Sequence, residues 1–178
     1  MTTTYYTLIG SRKTPVDKLE LLVMIGRCLS NKGFTVRSGG ANGADSAAET
    51  SHLGLGGNGK AEIYLPWDNF NDHHAGGPYI NTPNQPTYSY AVEIAKAVHP
   101  AWNKCSRGAK ALHTRNVYQV LGSDLNTPSE FVVCYADVDK HNNVIGGTAT
   151  AVNIAIDAGI PVYNISIKEQ LEALVDIL

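Results

Sequence analysis

The chain has 178 residues, of which 43% are apolar, and its 14 Lys and Arg against 16 Asp and Glu give a formal net charge of −2. This length suffices for one globular domain with a substantial core. No apolar run approaches the ~18 residues that span a bilayer. The first residues lack a signal-peptide pattern, and three widely spaced cysteines without a CxxC pair favour reduced thiols. We therefore expect a cytoplasmic protein and exclude membrane, secreted, fibrous and disordered classes.

Strands and helices alternate along the first part of the chain. Short β-prone runs are followed by segments in which apolar residues recur at helical spacing, and glycines separate the two. This pattern predicts strands over 5–9, 34–37 and 61–65 and helices over 16–31 and 44–53.

Turn-forming residues fill positions 67–87, which predicts a long loop without regular structure. Loops of this length inside a domain commonly serve as lids or binding loops. We therefore expect a single domain over 1–178, in which 67–105 is an insertion or lid-like segment.

The alternation continues to the end of the chain, with helices predicted over 88–98, 108–121, 148–158 and 167–177 and strands over 131–135 and 160–165. It predicts an α/β fold, namely a Rossmann-like, doubly wound, mostly parallel sheet with helices on both faces. Ligands of such sheets bind beyond the carboxyl ends of the strands. Site residues are therefore expected in the loops that follow strands.

Three such loops combine glycine with hydroxyl or charged residues. Glycine lets a ligand approach the backbone, and free N–H groups at the start of a helix attract anions. One loop alone is equally well explained by the steric demands of a turn, but three together favour a ligand that carries phosphate. None matches the GxGxxG or GxxxxGK[ST] patterns, so a standard dehydrogenase or ATPase is not expected. The candidate binding residues are Gly10, Ser11 and Arg12; Ser38, Gly39, Gly40, Ala41, Asn42 and Asp45; and Gly146, Gly147, Thr148, Ala149 and Thr150.

Positive charge is concentrated between residues 94 and 123, where no acid is present and the five cations are Lys96, Lys104, Arg107, Lys110 and Arg115. Such a run is typical of a solvated face. Arg115 differs because it stands beside Asn116 in a predicted helix, where it is expected to bind an anion or pair with a carboxylate.

Acidic and histidine residues are also candidates for chemistry. Asp68, Asp72, His73 and His74 have no zinc-type spacing, so neither a metal nor a cofactor is predicted. Carboxylates near the expected ligand, Asp45 among them, are able to act as general acid or base. Asp45 is equally well explained by the favourable effect of a negative charge in the first turn of a helix.

In chain order these motifs resemble the SLOG superfamily of Rossmann-like nucleotide binders, and above all the core of DNA-processing protein A, a recombination mediator. The resemblance rests on segments 10–12, 38–45, 115–116, 131–135 and 159–162. It spans most of 5–165 apart from 67–105. The small layout also resembles superfamily members carried by phages and mobile elements. It implies a Rossmann-like core that binds nucleotides or single-stranded DNA.

Segment 145–153 resembles a further signature, the PGGxGTxxE of the Lonely Guy phosphoribohydrolases, which cut the N-glycosidic bond of nucleoside monophosphates. Gly146, Gly147 and Thr150 match, but the catalytic Glu of that signature is Asn153 here. An amide does not replace a carboxylate as a base. If the chain is a hydrolase, the residues expected to carry catalysis are Arg115, Asp45 and Asp157.

Three functions follow, in this order of preference. The first is the binding of a nucleotide-derived ligand for sensing or sequestration, with phosphate and ribose in the three loops, Arg12 and Arg115 neutralising charge, and 67–87 closing over the base. The second is N-glycosidic hydrolysis of nucleoside 5′-monophosphates. The third is single-stranded DNA binding, which the net charge of −2 disfavours and the cationic segment favours, especially if a homo-oligomer aligns several copies.

Overall fold

The computed structural model describes residues 2–178. Its centre is a six-stranded sheet in the order β4-β3-β2-β1-β5-β6, in which every neighbouring pair is parallel. The strand order reverses between β1 and β5, and this is where sheets of this kind bind ligands. The strands are β1 Tyr5–Gly10, β2 Thr35–Ser38, β3 Ala61–Leu65, β4 Tyr79–Asn81, β5 Val132–Tyr135 and β6 Val162–Asn164.

Six α-helices cover the sheet, because each crossover between parallel strands must leave the plane of the sheet. They are α1 Val16–Asn31, α2 Ala44–Leu53, α3 Tyr88–Val98, α4 Arg107–Leu121, α5 Ala149–Asp157 and α6 Lys168–Val175. Two short 3₁₀ turns, Thr82–Asn84 and Trp102–Lys104, stand before and after α3.

The alternating side chains of the strands build one core on each face. On one face Leu8 and Val133 pack against α1, α2 and α6. On the other face Ile9 and Cys134 pack against α3, α4 and α5. Burial on both faces explains why the strands read as continuous apolar runs in the sequence.

The predicted fold class is therefore confirmed, and the predicted elements correspond to observed ones with boundaries shifted by one or two residues. The loop prediction for 67–87 is wrong in part, because β4 lies within it as an edge strand paired to β3. A strand of three residues, flanked by Pro78 and Pro83, is too short to show a strand pattern. Within 67–105, α3 packs against the core on the α4 face.

Among residues 2–178, no helix combines the length and the apolar character needed to cross a bilayer.

Candidate functional site

A cavity of about 520 Å³ opens at the carboxyl ends of β1 and β5, where the strand order reverses. Its walls come from the loop after β1, the start of α2, one face of α4 and the segment that joins β5 to α5. Residues predicted as binding residues that line it are Gly10, Ser11, Arg12, Ala41, Asp45, Arg115, Asn116, Gly146, Gly147 and Thr148. The structure thus brings residues of all three loops to one cavity.

The other predicted binding residues do not line this cavity: Ser38, Gly39, Gly40, Asn42, Ala149 and Thr150. The Ser38 hydroxyl donates to Leu8 O at 2.6 Å and is thus engaged within the sheet. Asn42 is exposed, and its Oδ1 accepts from Asn71 Nδ2 at 3.1 Å. The segment 67–87, which was expected to close over a base, contributes no residue to this cavity.

Arg115 holds the backbone next to the cavity through hydrogen bonds. Its side chain is buried, and its guanidinium donates to Gly39 O, to Tyr64 O at 3.3 Å and to Asn116 Oδ1 at 3.1 Å. Burial lowers the pKa of Arg115 to about 10, and the negative charge of Asp45 opposes this shift. The residue stays positive at neutral pH, and its Nε and Nη1 donors are engaged by the protein itself.

Asp45 holds the second loop in a similar way. It is buried in the first turn of α2, and its carboxylate accepts from Ala41 N at 3.3 Å. Burial raises the pKa of Asp45, while Arg115 and the amides of Ala41 and Gly10 lower it. Because the Asp45 carboxylate accepts from loop amides and faces the buried cation of Arg115, it fixes the conformation of the loops.

Asn116 connects this arrangement to the third loop, because its Nδ2 donates to Gly147 O at 3.1 Å. Two successive residues of α4, Arg115 and Asn116, therefore hold the backbone of the second loop at Gly39 and of the third loop at Gly147. The Arg115-Asn116 pair thereby links the second loop to the third.

Gly43 and Gly147 show that the loops differ in how much space a side chain would have. A Cβ on Gly43, whose φ is +77°, would lie 2.3 Å from Ser11 O, so glycine permits the first two loops to touch. A Cβ on Gly147 would have no heavy atom within 4 Å. The absence of a side chain at Gly147 therefore leaves space at the cavity that the packing of the protein does not use.

Charge remains available at the mouth of the cavity. Arg12 and Lys13 are exposed and line it, and Lys13 N donates to Ser11 Oγ at 3.1 Å. Within the cationic segment 94–123, Lys96, Lys104 and Arg107 are exposed, whereas Arg115 is buried.

Sequence reasoning missed several residues of the α4 wall. Ala109, Leu112, His113 and Gln119 line the cavity together with Asn116. Their spacing of three or four residues places them on one face of a helix, and this periodicity is the signal that would have identified them. Burial, then the charges of His99 and Arg115, lower the pKa of His113 to about 4.

Of the residues predicted as catalytic, Arg115 and Asp45 lie together at the cavity, whereas Asp157 is apart from them. Arg115 and Asp45 are buried and serve the loops. Asp157 is exposed at the C-terminal end of α5, whereas the cavity lies at the N-terminal end of that helix. Asn153 is also exposed and does not line the cavity.

Comparisons with known proteins give one partial family match and similar folds. Residues 1–64, which contain the first two loops, match the family model of DNA recombination-mediator protein A. A search of curated proteins finds no match. DNA processing protein A from Streptococcus pneumoniae is a similar solved structure, with a TM-score of 0.52 and 14% identity over 91% of this chain and 50% of that chain.

A second similar structure is DNA processing protein A from Helicobacter pylori, solved to describe its single-stranded DNA binding mode. It is 14% identical, with a TM-score of 0.49 over 90% of this chain and 64% of that one. The present chain thus spans between half and two thirds of the length of these two proteins. The resemblance to the core of DNA-processing protein A that the motifs predict is confirmed, in sequence over residues 1–64 and in fold over the sheet.

Proposed function

We propose that the protein binds single-stranded DNA, with a backbone phosphate in the cavity between β1 and β5. The observation that carries the proposal is the position of two exposed cations, Arg12 and Lys13, at the same cavity as the open backbone of Gly146 and Gly147. Cationic side chains and peptide N–H groups at a helix start are the usual partners of phosphate oxygens. The match of residues 1–64 to a DNA recombination family supports this reading.

A second cavity favours a strand over a free nucleotide. It has a volume of about 910 Å³ and is lined by the aromatic residues Trp67, Tyr88 and Trp102 and by the cations Arg107 and Lys110. Aromatic side chains in a positively charged groove are the usual platform for stacked bases of single strands.

The two cavities lie along the same helix. Ala109 and His113 line the first, and Lys110 and Ala111, their neighbours in α4, line the second. A strand is able to place a phosphate in the first cavity and a base in the second, and to continue beyond both. This pair of cavities, together with the family match over residues 1–64, supports DNA binding ahead of the nucleotide ligand that the motifs favoured.

Fluorescence anisotropy with a labelled oligothymidine tests this proposal. We expect the double variant Arg12→Ala/Lys13→Ala to bind at least tenfold more weakly and to lower the slope of log affinity against log salt by roughly 1.4, since each phosphate contact contributes ~0.7 for single strands. The matched control is Arg27→Ala/Lys60→Ala, which removes two exposed cations outside both cavities.

Trp67→Ala tests the second cavity, because Trp67 is 40% exposed there. Loss of one stacked base costs about 1–3 kcal/mol, so affinity for the oligomer is expected to fall at least fivefold. Competition by unlabelled thymidine monophosphate compares the affinity for a free nucleotide with the affinity for the oligomer. If the mononucleotide displaces the oligomer at equal concentration, or if the two double variants bind alike, the proposal is wrong.

A further inference from the structure

Three metal-ligating side chains meet at one end of α4, beside the first cavity. His99 follows the last residue of α3, Cys105 stands between a 3₁₀ turn and α4, and His113 lies within α4. One potential ligand atom from each lies within 4.8 Å of the other two, and all three residues are partly buried. The sequence did not predict this group, because the His and Cys spacings of six and eight residues match no zinc motif.

The distances are close to those of a coordination sphere. Cys105 Sγ lies 3.9 Å from both ring nitrogens of His99, and the ring centroids of His99 and His113 are 4.3 Å apart. With Zn–S near 2.3 Å and Zn–N near 2.0 Å, a tetrahedral site separates sulfur from nitrogen by roughly 3.5 Å. The Cys105–His99 distance exceeds this value by a few tenths of an ångström, and the ligand atom of His113, which lies within 4.8 Å of the other two, approaches further by side-chain rotation when a metal binds.

We propose that His99, Cys105 and His113 bind one transition-metal ion of the Zn²⁺ type, with the fourth position open to solvent or ligand. A thiolate with two imidazoles is a donor set that suits Zn²⁺ and its spectroscopic substitute Co²⁺, and it disfavours Mg²⁺ and Ca²⁺, which prefer oxygen. Binding releases the Cys105 thiol proton to solvent, because the thiolate is the ligand. This inference does not depend on the proposed DNA binding.

A neighbour in α5 orients one ligand. Thr150 Oγ1 lies 2.9 Å from His113 Nδ1, so in the tautomer that leaves Nε2 free to bind a metal, Nδ1–H donates to the hydroxyl. Metal-bound histidines usually donate their second N–H in this way, which fixes the ring. This contact also accounts for Thr150, which was predicted as a binding residue but does not line the first cavity.

His99 has one competing contact, because Ala101 N donates to its Nδ1 at 3.1 Å. Ala101 is exposed, so water is able to replace the imidazole as the partner of this amide when Nδ1 turns to the metal. An ion at this position would add positive charge at the wall of the first cavity, which His113 also lines.

Cobalt titration of the chelator-treated, reduced protein in the absence of DNA tests the site. We expect one equivalent of Co²⁺ to bind with tetrahedral visible bands and a thiolate-to-cobalt charge-transfer band in the near ultraviolet. Cys105→Ser should remove the charge-transfer band and weaken binding by more than about 100-fold, and Thr150→Val should weaken it about tenfold. The matched control Cys28→Ser alters an exposed thiol on α1 and should change nothing.

Circular dichroism verifies that each variant is folded, and if Cys105→Ser is not, His99→Gln takes its place with loss of the visible bands as the readout. The site is refuted if the wild type binds no Co²⁺ saturably at millimolar concentrations. It is also refuted if the replacement of Cys105 or His99 leaves the affinity unchanged. Because no DNA is present, these results are independent of whether the cavities bind a strand.

Discussion

The second glycine-containing loop differs from the third in how its polar groups are used. In the second loop the carbonyl of Gly39 is held by Arg115, the amide of Ala41 is held by Asp45, and Gly43 touches the backbone of the first loop. In the third loop Asn116 holds the carbonyl of Gly147, but the backbone of Gly146 and Gly147 is exposed at the cavity.

The comparison shows that similar sequence motifs perform different tasks. Buried charges and close-packed glycines build the second loop into a support, whereas exposed glycines and the exposed Arg12 face the space available to a ligand. Substitutions in the support should therefore change stability, and substitutions at the open surface should change binding.

The largest difference is expected between two arginines. Arg115→Ala should lower the free energy of unfolding by about 3–5 kcal/mol, because it leaves Asp45 buried without its cation and frees the carbonyls of Gly39 and Tyr64. Arg12→Ala, at an exposed position, should change it by less than about 0.5 kcal/mol. Urea unfolding followed by circular dichroism measures both, and equal losses would contradict the division into support and open surface.

Gly43 and Gly147 provide a second comparison between the support and the open surface. Gly43→Ala should destabilise by about 2–5 kcal/mol, since its Cβ would meet Ser11 O and the left-handed φ disfavours a side chain. Gly147→Ala has room in the protein and should leave stability within about 0.5 kcal/mol, while its methyl group obstructs the cavity and weakens oligothymidine binding. A stable Gly43→Ala variant would show that the first two loops do not need their contact.

His52, in the helix α2 that follows the second loop, should make the free energy of unfolding depend on pH. Burial lowers the pKa of His52 to about 4, whereas the unfolded chain takes up this proton near 6.5. The unfolded state therefore binds more protons between these values, and the free energy of unfolding should fall by roughly 3 kcal/mol as pH decreases from 6.5 to 4. Urea titrations at a series of pH values measure this.

His52→Gln should remove this contribution of roughly 3 kcal/mol and leave the contribution of His113, whose pKa is also lowered to about 4. His141→Gln, at an exposed position, should retain the full profile. An unchanged profile in the first variant would assign the pH dependence to other groups.

The smallest effect is expected at the residue that connects the support to the open loop. Asn116→Ala should lower the free energy of unfolding by about 1–2 kcal/mol through the loss of its contacts with Arg115 and Gly147. Because the third loop is then less fixed, oligothymidine affinity should fall as well. Asn153→Ala, on the exposed face of α5, is the control and should affect neither quantity.

The fold was largely accessible from the sequence, because helical and strand periodicities are local signals that burial on both faces of a sheet enforces. The predicted helix over 16–31 coincides with α1, and Gly10 and Gly39 lie at strand ends, whereas Gly146 and Gly147 stand just before α5. The three-residue strand β4 was missed, because its pairing with β3 and not its own pattern defines it.

Only part of the site could be predicted from the sequence. Residues 10–12 and 146–148 were predicted to be near one another from the rule that carboxyl ends of parallel strands share an edge, and they line one cavity. The burial of Arg115, the remote position of Asp157 and the meeting of His99 with Cys105 and His113 carry no local signal. Each depends on the packing of α3, α4 and α5 against one another.

The amino-acid sequence by itself determined which segments are helices and strands, which loops contain glycine and where cations are concentrated, since these properties depend on neighbouring residues along the chain. The tertiary structure alone decided which of those charges are used internally and which face a ligand. That choice depends on whether a charged group finds carbonyls, carboxylates or water around it, and these surroundings come from residues tens of positions away, as with Arg115 and Gly39.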